Sequence, residues 1–548
     1  MTQLEEFARD AAKRYLQNIV FVDDEIYSRS TGHPIVSTAD LPVYQSPFVN
    51  AKGTAVNAVA SVPAEEKIPY HPKHLVESFA REGMICALYE PAENFSADKD
   101  SELFKLCERA DVVILDWDLF GRDGRNILPL IGNLVDESQN SVPHHARLCV
   151  IYTTKPDLER VGGAIYDHLK KGDLSVQEVT KPVALVAGAT RIVVLGKPNV
   201  PGRTQESKAL EVAEEKLAER VIDEFATMHG GILPSYALRG MAAVRRNSKK
   251  ILDKFHSTLD APFLVHRALL IADEDAFEQL PELLAEEVLA VMYDDQIPQE
   301  RAIQLAKDVA SSLPLQTLDW RPIQGRPARA PGELARLFVG GGQPAIAGDY
   351  KFKNEKIPSV HTALGCGESH AEKKLAALFN LRTRYFNSKS PTMGFGTIIR
   401  RQTMNDGGPV QDPIFDYGLC LMPLCDGMRL DHTDGKTTSF PFWSLKGGGK
   451  GVKGRGIVVF TKEQNYVELL ASGKPRDMLW ISQFAPSPSG TVTAVKEGAS
   501  FWFDGEKKLE WVAQLKPAHA QRVAHDIGQT FSRVGVVEAE WLRLLTDK

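Results

Sequence analysis

The chain has 548 residues, 43% of them hydrophobic and 25% charged, with a formal net charge of -6. That length supplies several cores of ordinary domain size, and the acidic balance excludes a global positive field for nucleic acid or anionic lipid, leaving only local basic patches. No apolar run reaches the roughly 18 residues a bilayer crossing needs. The opening stretch reads as an amphipathic helix and not as a signal peptide, so a cytoplasmic protein with no membrane partner is expected.

In chain order, the first helix is followed by Ile19-Val20-Phe21-Val22 and then two adjacent carboxylates, Asp23 and Asp24. This pattern predicts a buried parallel strand ending in acid. Residues 27–70 carry Gly, Pro, Ser and Ala without periodicity and read as an insertion or lid. A helix ending at Gly83 leads to a strand at 84–88, and a helix at 101–110 leads to a strand at 112–115. A helix at 126–137 precedes a strand at 148–153, and a helix and a variable stretch precede the strand 191–196. Five short apolar strands alternating with helices are the signature of a doubly wound parallel α/β sheet.

Residues 204–338 read as mostly helical, with Leu210, Ala213, Leu217, Val221 and Phe225 on one face. The Pro- and Arg-rich stretch 321–331 and the triple glycine at 340–342 predict a boundary. Strand-like runs follow at 417–422, 456–460, 478–481 and 501–503, and the last forty residues return to helix. Three regions are therefore expected: 1–203, 204–340, and an α+β region rich in strands over 341–548.

Ligands of doubly wound sheets bind at the carboxyl ends of the strands. Asp23, Asp24, Asp116, Thr153 and Lys197 each end a predicted strand, so they are expected to converge. Three carboxylates in one partly desolvated place repel, and a divalent cation relieves them. Oxygen ligands of this kind favour Mg²⁺, which engages one or two carboxylates and a phosphoryl group. With the cation and the Lys197 ammonium offsetting charge, Asp116 can act as a nucleophile toward phosphorus, and Thr153 can donate to the same group.

The set Asp23-Asp24, Asp116, Thr153 and Lys197-Pro198, with Asp116-Trp117-Asp118 running on to Asp123-Gly124, closely resembles the receiver domain of bacterial two-component response regulators. The resemblance spans about residues 16 to 230 and implies a five-stranded, flavodoxin-like sheet. It implies Asp116 as phosphoacceptor, Asp24 as a direct metal ligand, and Asp23 as a ligand through water. The Asp118 backbone carbonyl would face the same metal, while Lys197 pairs with phosphoryl oxygens and Thr153 moves toward them. A histidine kinase would be the phosphodonor, and the chain's own chemistry would be limited to accepting and losing the phosphoryl group. Phe120 stands where the family commonly has proline, and Val194 where an aromatic is often found. The enlarged layout resembles receivers of bacterial anti-phage signalling modules of the Detocs type.

A phosphatase of the haloacid dehalogenase class is the alternative, with Asp116 as nucleophile, Asp118 as general acid and Asp294-Asp295 as the downstream acidic pair. Its last element follows a helical pattern, and it leaves Asp23-Asp24 without a role. The basic glycine-rich stretch 446–456 lacks a P-loop ending and reads as a hairpin loop. Six scattered cysteines read as reduced thiols, and Cys420, Cys425, Asp426, Asp431 and His432 as turn or core residues instead of a metal or nucleophile site. No helix-turn-helix stands out beyond residue 204, which argues against DNA as a partner. The output of 204–548 is open between an effector-binding module, a phosphorylation-switched enzyme and a nucleic-acid binder.

Overall fold

The structure, a computed structural model, describes residues 2–26, 72–141, 146–180, 183–270, 275–312, 371–383, 390–403, 414–447 and 456–531, apart from positions 424, 428, 434, 462, 464, 472, 499 and 506. The insertion expected at 27–70, the 321–331 stretch, the glycines at 340–342, most of the 446–456 loop, Cys366 and the closing helix lie outside the described residues. Contacts divide the chain into two compact units, Met1–Ser312 and Leu313–Lys548.

The first unit is built on a seven-stranded sheet of β1 (Asn18–Val22), β2 (Ile85–Tyr89), β3 (Val112–Leu115), β4 (Arg147–Thr153), β5 (Gln177–Thr180), β6 (Ala184–Ala187) and β7 (Thr190–Gly196). Their order is β2-β1-β3-β4-β7-β6-β5. The five strands expected from the sequence are all present and pair in parallel, as β1 with β2 and β3, β3 with β4, and β4 with β7. Doubly wound α/β is therefore the architecture of this unit, but the strand count was short by two. The added strands β5 and β6 run antiparallel at the β7 edge. They left little trace because Gln177, Glu178, Val179 and Thr180 are exposed with no apolar face, and β6 has only four residues. Gly188, at φ 61°, makes the tight turn from β6 into β7.

The central strands are continuous apolar runs because both faces are covered. Ile19, Phe21, Val112 and Ile114 face one apolar cluster, shared with α1 (Gln3–Tyr15), α2 (Pro72–Arg81) and α7 (Leu217–Met228). Val20, Val22, Val113 and Leu115 face the other, shared with α3 (Glu102–Glu108), α4 (Ile127–Asp136) and α5 (Leu158–Lys171). This period-two alternation fixes the register of every strand, since a slip of one residue would exchange the two faces.

After β7 come the short α6 (Gln205–Lys208), then α7, α8 (Ile232–Lys254), α9 (Asp260–Leu269), α10 (Asp275–Asp294) and α11 (Gln299–Ser312). These helices belong to the same compact unit as the sheet. The helical stripe expected from Leu210 is realised only from Leu217. Residues 210–212 instead lie along Gly196, whose N–H donates to the Leu210 carbonyl at 3.0 Å and whose carbonyl accepts from Val212 N–H at 2.9 Å. Those bonds hold the segment extended and set where the helix can begin.

In the second unit, α12 (Ala371–Asn380) precedes β8 (Thr397–Thr403), β9 (Ile414–Cys420), β10 (Thr438–Gly447), β11 (Ile457–Phe460) and β12 (Tyr466–Leu470). Then come α13 (Pro475–Met478), β13 (Leu479–Phe484), β14 (Val495–Glu497), β15 (Ser500–Phe503), β16 (Leu509–Gln514) and α14 (Pro517–Phe531). The strands pair antiparallel in a sheet of nine, ordered β11-β12-β10-β9-β8-β16-β15-β14 with β13 on β10. The β-rich character expected of this region is present. Several strands escaped the sequence reading because they carry polar or breaking residues inside. Arg400 in β8 is buried through ion pairs with Glu510 (2.8 Å) and Glu463 (2.7 Å), and Pro441 sits within β10. Among the described residues no helix is long and apolar enough to cross a membrane.

Candidate functional site

Four parallel strands end side by side: β1 runs out into Asp23-Asp24, β3 into Asp116, β4 at Thr153 and β7 into Lys197. The Lys197 ammonium donates to Asp116 Oδ2 at 2.8 Å and to Asp23 Oδ2 at 2.9 Å, lying between the two carboxylates. It also lies over the Tyr152 ring, 5.7 Å from its centroid. Asp23 Oδ1 accepts from Glu25 N–H at 2.9 Å and Asp116 Oδ1 from Asp118 N–H at 3.1 Å.

The electrostatics follow from burial. Desolvation raises the Asp116 carboxyl above its ordinary value, the Asp23 charge adds to the rise, and Lys197 opposes it. Asp24 is raised too, by burial first, with the Phe120 hydrogen bond opposing and Asp23 adding. Burial pulls the Lys197 ammonium down, but Asp116 and Asp23 outweigh it and hold the group charged. Asp23 and Asp116 thus share one ammonium, while Asp24 accepts from the Phe120 amide.

Thr153 is buried, and its Oγ1 accepts from Lys155 N–H at 3.2 Å, an arrangement that leaves the hydroxyl proton to be donated. The neighbouring Thr154 is exposed. Asp118 turns away from the cluster. Its Oδ1 accepts from Asp123 N–H at 2.8 Å, its Oδ2 pairs with Lys155 at 2.7 Å, and its carbonyl accepts from Gly121 N–H at 3.0 Å. A carboxylate using both oxygens as acceptors is poorly set to be the general acid of a phosphatase. Asp295, meanwhile, pairs with Arg239 of α8 at 2.7 Å and faces Arg14 of α1 at 3.7 Å.

The loop after β3 is wound through positive φ at Phe120 (57°), Gly121 (68°), Asp123 (45°) and Gly124 (81°). Its winding aims the Phe120 N–H at Asp24 Oδ2, 2.8 Å away. The buried Trp117 donates from Nε1 to Asp123 at 2.9 Å, and Arg160 grips the same carboxylate with two contacts of 3.0 Å. A Cβ at Gly124 would come within 2.2 Å of the Trp117 ring. Gly124→Ala, which adds that clash to a left-handed backbone, is expected to cost about 3 kcal/mol in urea unfolding.

Two participants went unread in the sequence. Phe120 acts through its amide, which no motif advertises, and Arg203 lies outside every strand end. Its guanidinium donates to the carbonyls of Thr153 (2.9 Å), Lys155 (3.1 Å) and Lys197 (2.5 Å) and pairs with Glu211 at 3.0 Å. The one hint was Gly196 directly before Lys197.

The family model described as the response receiver domain matches residues 15–202. The N-terminal region is a receiver domain. No curated protein and no solved structure matches the chain. The receiver is divergent and enlarged, as the sequence resemblance implied, and it supports a response-regulator role in a phosphorelay. Among the described residues no three His, Cys, Asp or Glu side chains form a ready-made metal cage. The donor set nonetheless suits a cation that keeps its waters: hard carboxylate oxygens, two of them on carboxyls that burial drives toward protonation.

Proposed function

We propose that the receiver accepts a phosphoryl group on Asp116 from a histidine kinase with Mg²⁺ and relays or buffers the signal through its C-terminal regions. The supporting observation is the Lys197 ammonium bonded at once to Asp23 and Asp116 where adjacent parallel strands end. A carboxylate oxygen of Asp116 attacks phosphorus, the bond to the donor nitrogen breaks, and the imidazole leaves with its electron pair and takes up a proton. Asp23, Asp24, Asp116 and the Asp118 carbonyl would hold the magnesium, which when bound neutralises charge on the phosphoryl oxygens. Lys197 stands to bind one of those oxygens as its bond to Asp116 is exchanged, and Thr153 to donate to another.

The test is to incubate the whole chain with a small phosphodonor and Mg²⁺, trap the acyl phosphate by reduction and map it by mass spectrometry. Label on residue 116 supports the reading; none there removes it.

Phe120 gives a second handle. Proline, common at this place in the family, has no N–H and holds φ near -65°. Phe120→Pro therefore removes the donor to Asp24 and is expected to weaken Mg²⁺ binding about tenfold, followed by Trp117 fluorescence. Phe120→Gly keeps donor and φ and should bind as the wild type does.

The layout that resembles anti-phage receivers supports a place in cytoplasmic defence signalling with a protein effector. Phage challenge of cells carrying the chain and its kinase, with and without Asp116, tests that placement.

A further inference from the structure

The family match ends at residue 202, and the next residue is a fully buried cation. The Arg203 side chain lies in the angle between two strand ends, that of β4 at Thr153 with Lys155 in the loop beyond it, and that of β7 with Lys197 in the loop beyond it. Nη2 donates to the carbonyls of Thr153 and Lys155, Nε to Lys155 at 3.3 Å, and Nη1 to Lys197. Glu211 balances its charge. A direct bond from Lys197 N–H to the Thr153 carbonyl, 2.8 Å, closes the same ring. Room for the guanidinium exists only because residue 196 is glycine: a Cβ there would stand 2.2 Å from Nη1 and 2.6 Å from Cζ.

A planar fork with five donors can bind three carbonyls at fixed angles, which a lysine ammonium on a mobile stem cannot reproduce. We infer that Arg203 is a positioning residue, a carbonyl clamp that holds the Thr153 and Lys197 loops at the spacing needed to receive the phosphoryl group between them. It touches neither phosphorus nor donor and acts through the two residues that do. This inference rests on the phosphoacceptor reading.

Two variants break the clamp by different routes. Arg203→Gln removes the fork, and Gly196→Ala pushes the guanidinium aside while keeping its charge. The whole chain is labelled with a small phosphodonor and Mg²⁺, and in parallel Lys197 is acetylated by a small amine-reactive ester and read by peptide mass spectrometry. Both variants are expected to slow phosphoryl uptake about tenfold or more at saturating donor. The Mg²⁺ midpoint should stay unchanged, since the carboxylates are not clamped by Arg203, and Lys197 should acetylate about tenfold faster.

Uptake per folded molecule at the wild-type rate, with Lys197 as protected as before, overturns the clamp even if the unfolding midpoint falls. Should the wild type itself take no label, the phosphoacceptor reading fails, and the clamp stands or falls on Lys197 acetylation alone.

Discussion

Asp116→Asn is expected to lower phosphoryl labelling by about 100-fold or more while leaving the fold at least as stable as the wild type near pH 7. The first half follows from the chemistry, since an amide oxygen is too weak a nucleophile to displace the donor. The second follows from burial. The folded-state pKa of Asp116 is raised, chiefly by desolvation. A group raised on folding contributes stability that is fully present below its ordinary pKa, about 3.9 for aspartate, and that is lost as pH climbs through the raised value. As pH rises through that raised value the wild type comes to carry an ionised carboxylate that its site disfavours. The asparagine variant carries none, and Lys197 keeps its 2.9 Å contact with Asp23. Urea unfolding at about pH 4 and about pH 7 reads the difference, which should favour the variant more at the higher pH. A variant equally destabilised at both would show that ionised Asp116 is not where the cost lies. Labelling of the wild type should fall in acid with a midpoint above that of an exposed aspartate, because only the carboxylate attacks.

Lys197→Met should have the larger effect on stability. It leaves Asp23 and Asp116, both buried, facing each other without the ammonium that bridges them at 2.9 and 2.8 Å. Removing one member of a buried pair typically costs about 3 to 5 kcal/mol, and the lower end is expected here because the Asp116 carboxyl, already raised by burial, can take up a proton. The cost should shrink as pH falls and the Asp116 carboxyl neutralises. From the other side, the net effect of burial and the two carboxylates is to raise the Lys197 pKa. Its contribution is therefore complete below the ordinary lysine value, about 10.4, and is lost as pH rises beyond it. The wild type should lose stability in that alkaline range, and Lys197→Met should not share the loss. Combining Lys197→Met with Asp116→Asn should restore much of the stability but none of the labelling. If Lys197→Met unfolds with the wild-type midpoint at neutral pH, the ammonium is not holding the two carboxylates together.

The strands β1, β3, β4 and β7 were legible because a strand buried on both faces must be an uninterrupted apolar run, and such runs are scarce in a charged chain; β2, a half-exposed edge strand, was legible from its short apolar run after Gly83. The polar residues that stop those runs were legible for the same reason. Asp24 and Thr153 announced themselves by position, and Thr153 was distinguishable from Thr154 because it closes an apolar lead-in. What stayed hidden lacked a local pattern. Gln177 to Thr180 form a strand only because β6 offers an edge to pair with. Leu210 and Ala213 have helical spacing, yet the backbone of Gly196 takes 210–212 into extended pairing, a tertiary override of local preference. Arg400 in β8 reads as a surface residue until Glu510 and Glu463 are brought to it.

From the order of residues alone came the doubly wound architecture and the list of side chains at its functional edge, since parallel strands joined by helices must all end on one side. Only the folded chain decided how those side chains are used: that Lys197 lies between Asp23 and Asp116, that Asp118 turns outward to Lys155, that the Phe120 amide meets Asp24, and that Arg203 ties two loops by their carbonyls. Each depends on a contact between distant residues or on a backbone angle, and neither is written in the periodicity of apolar residues.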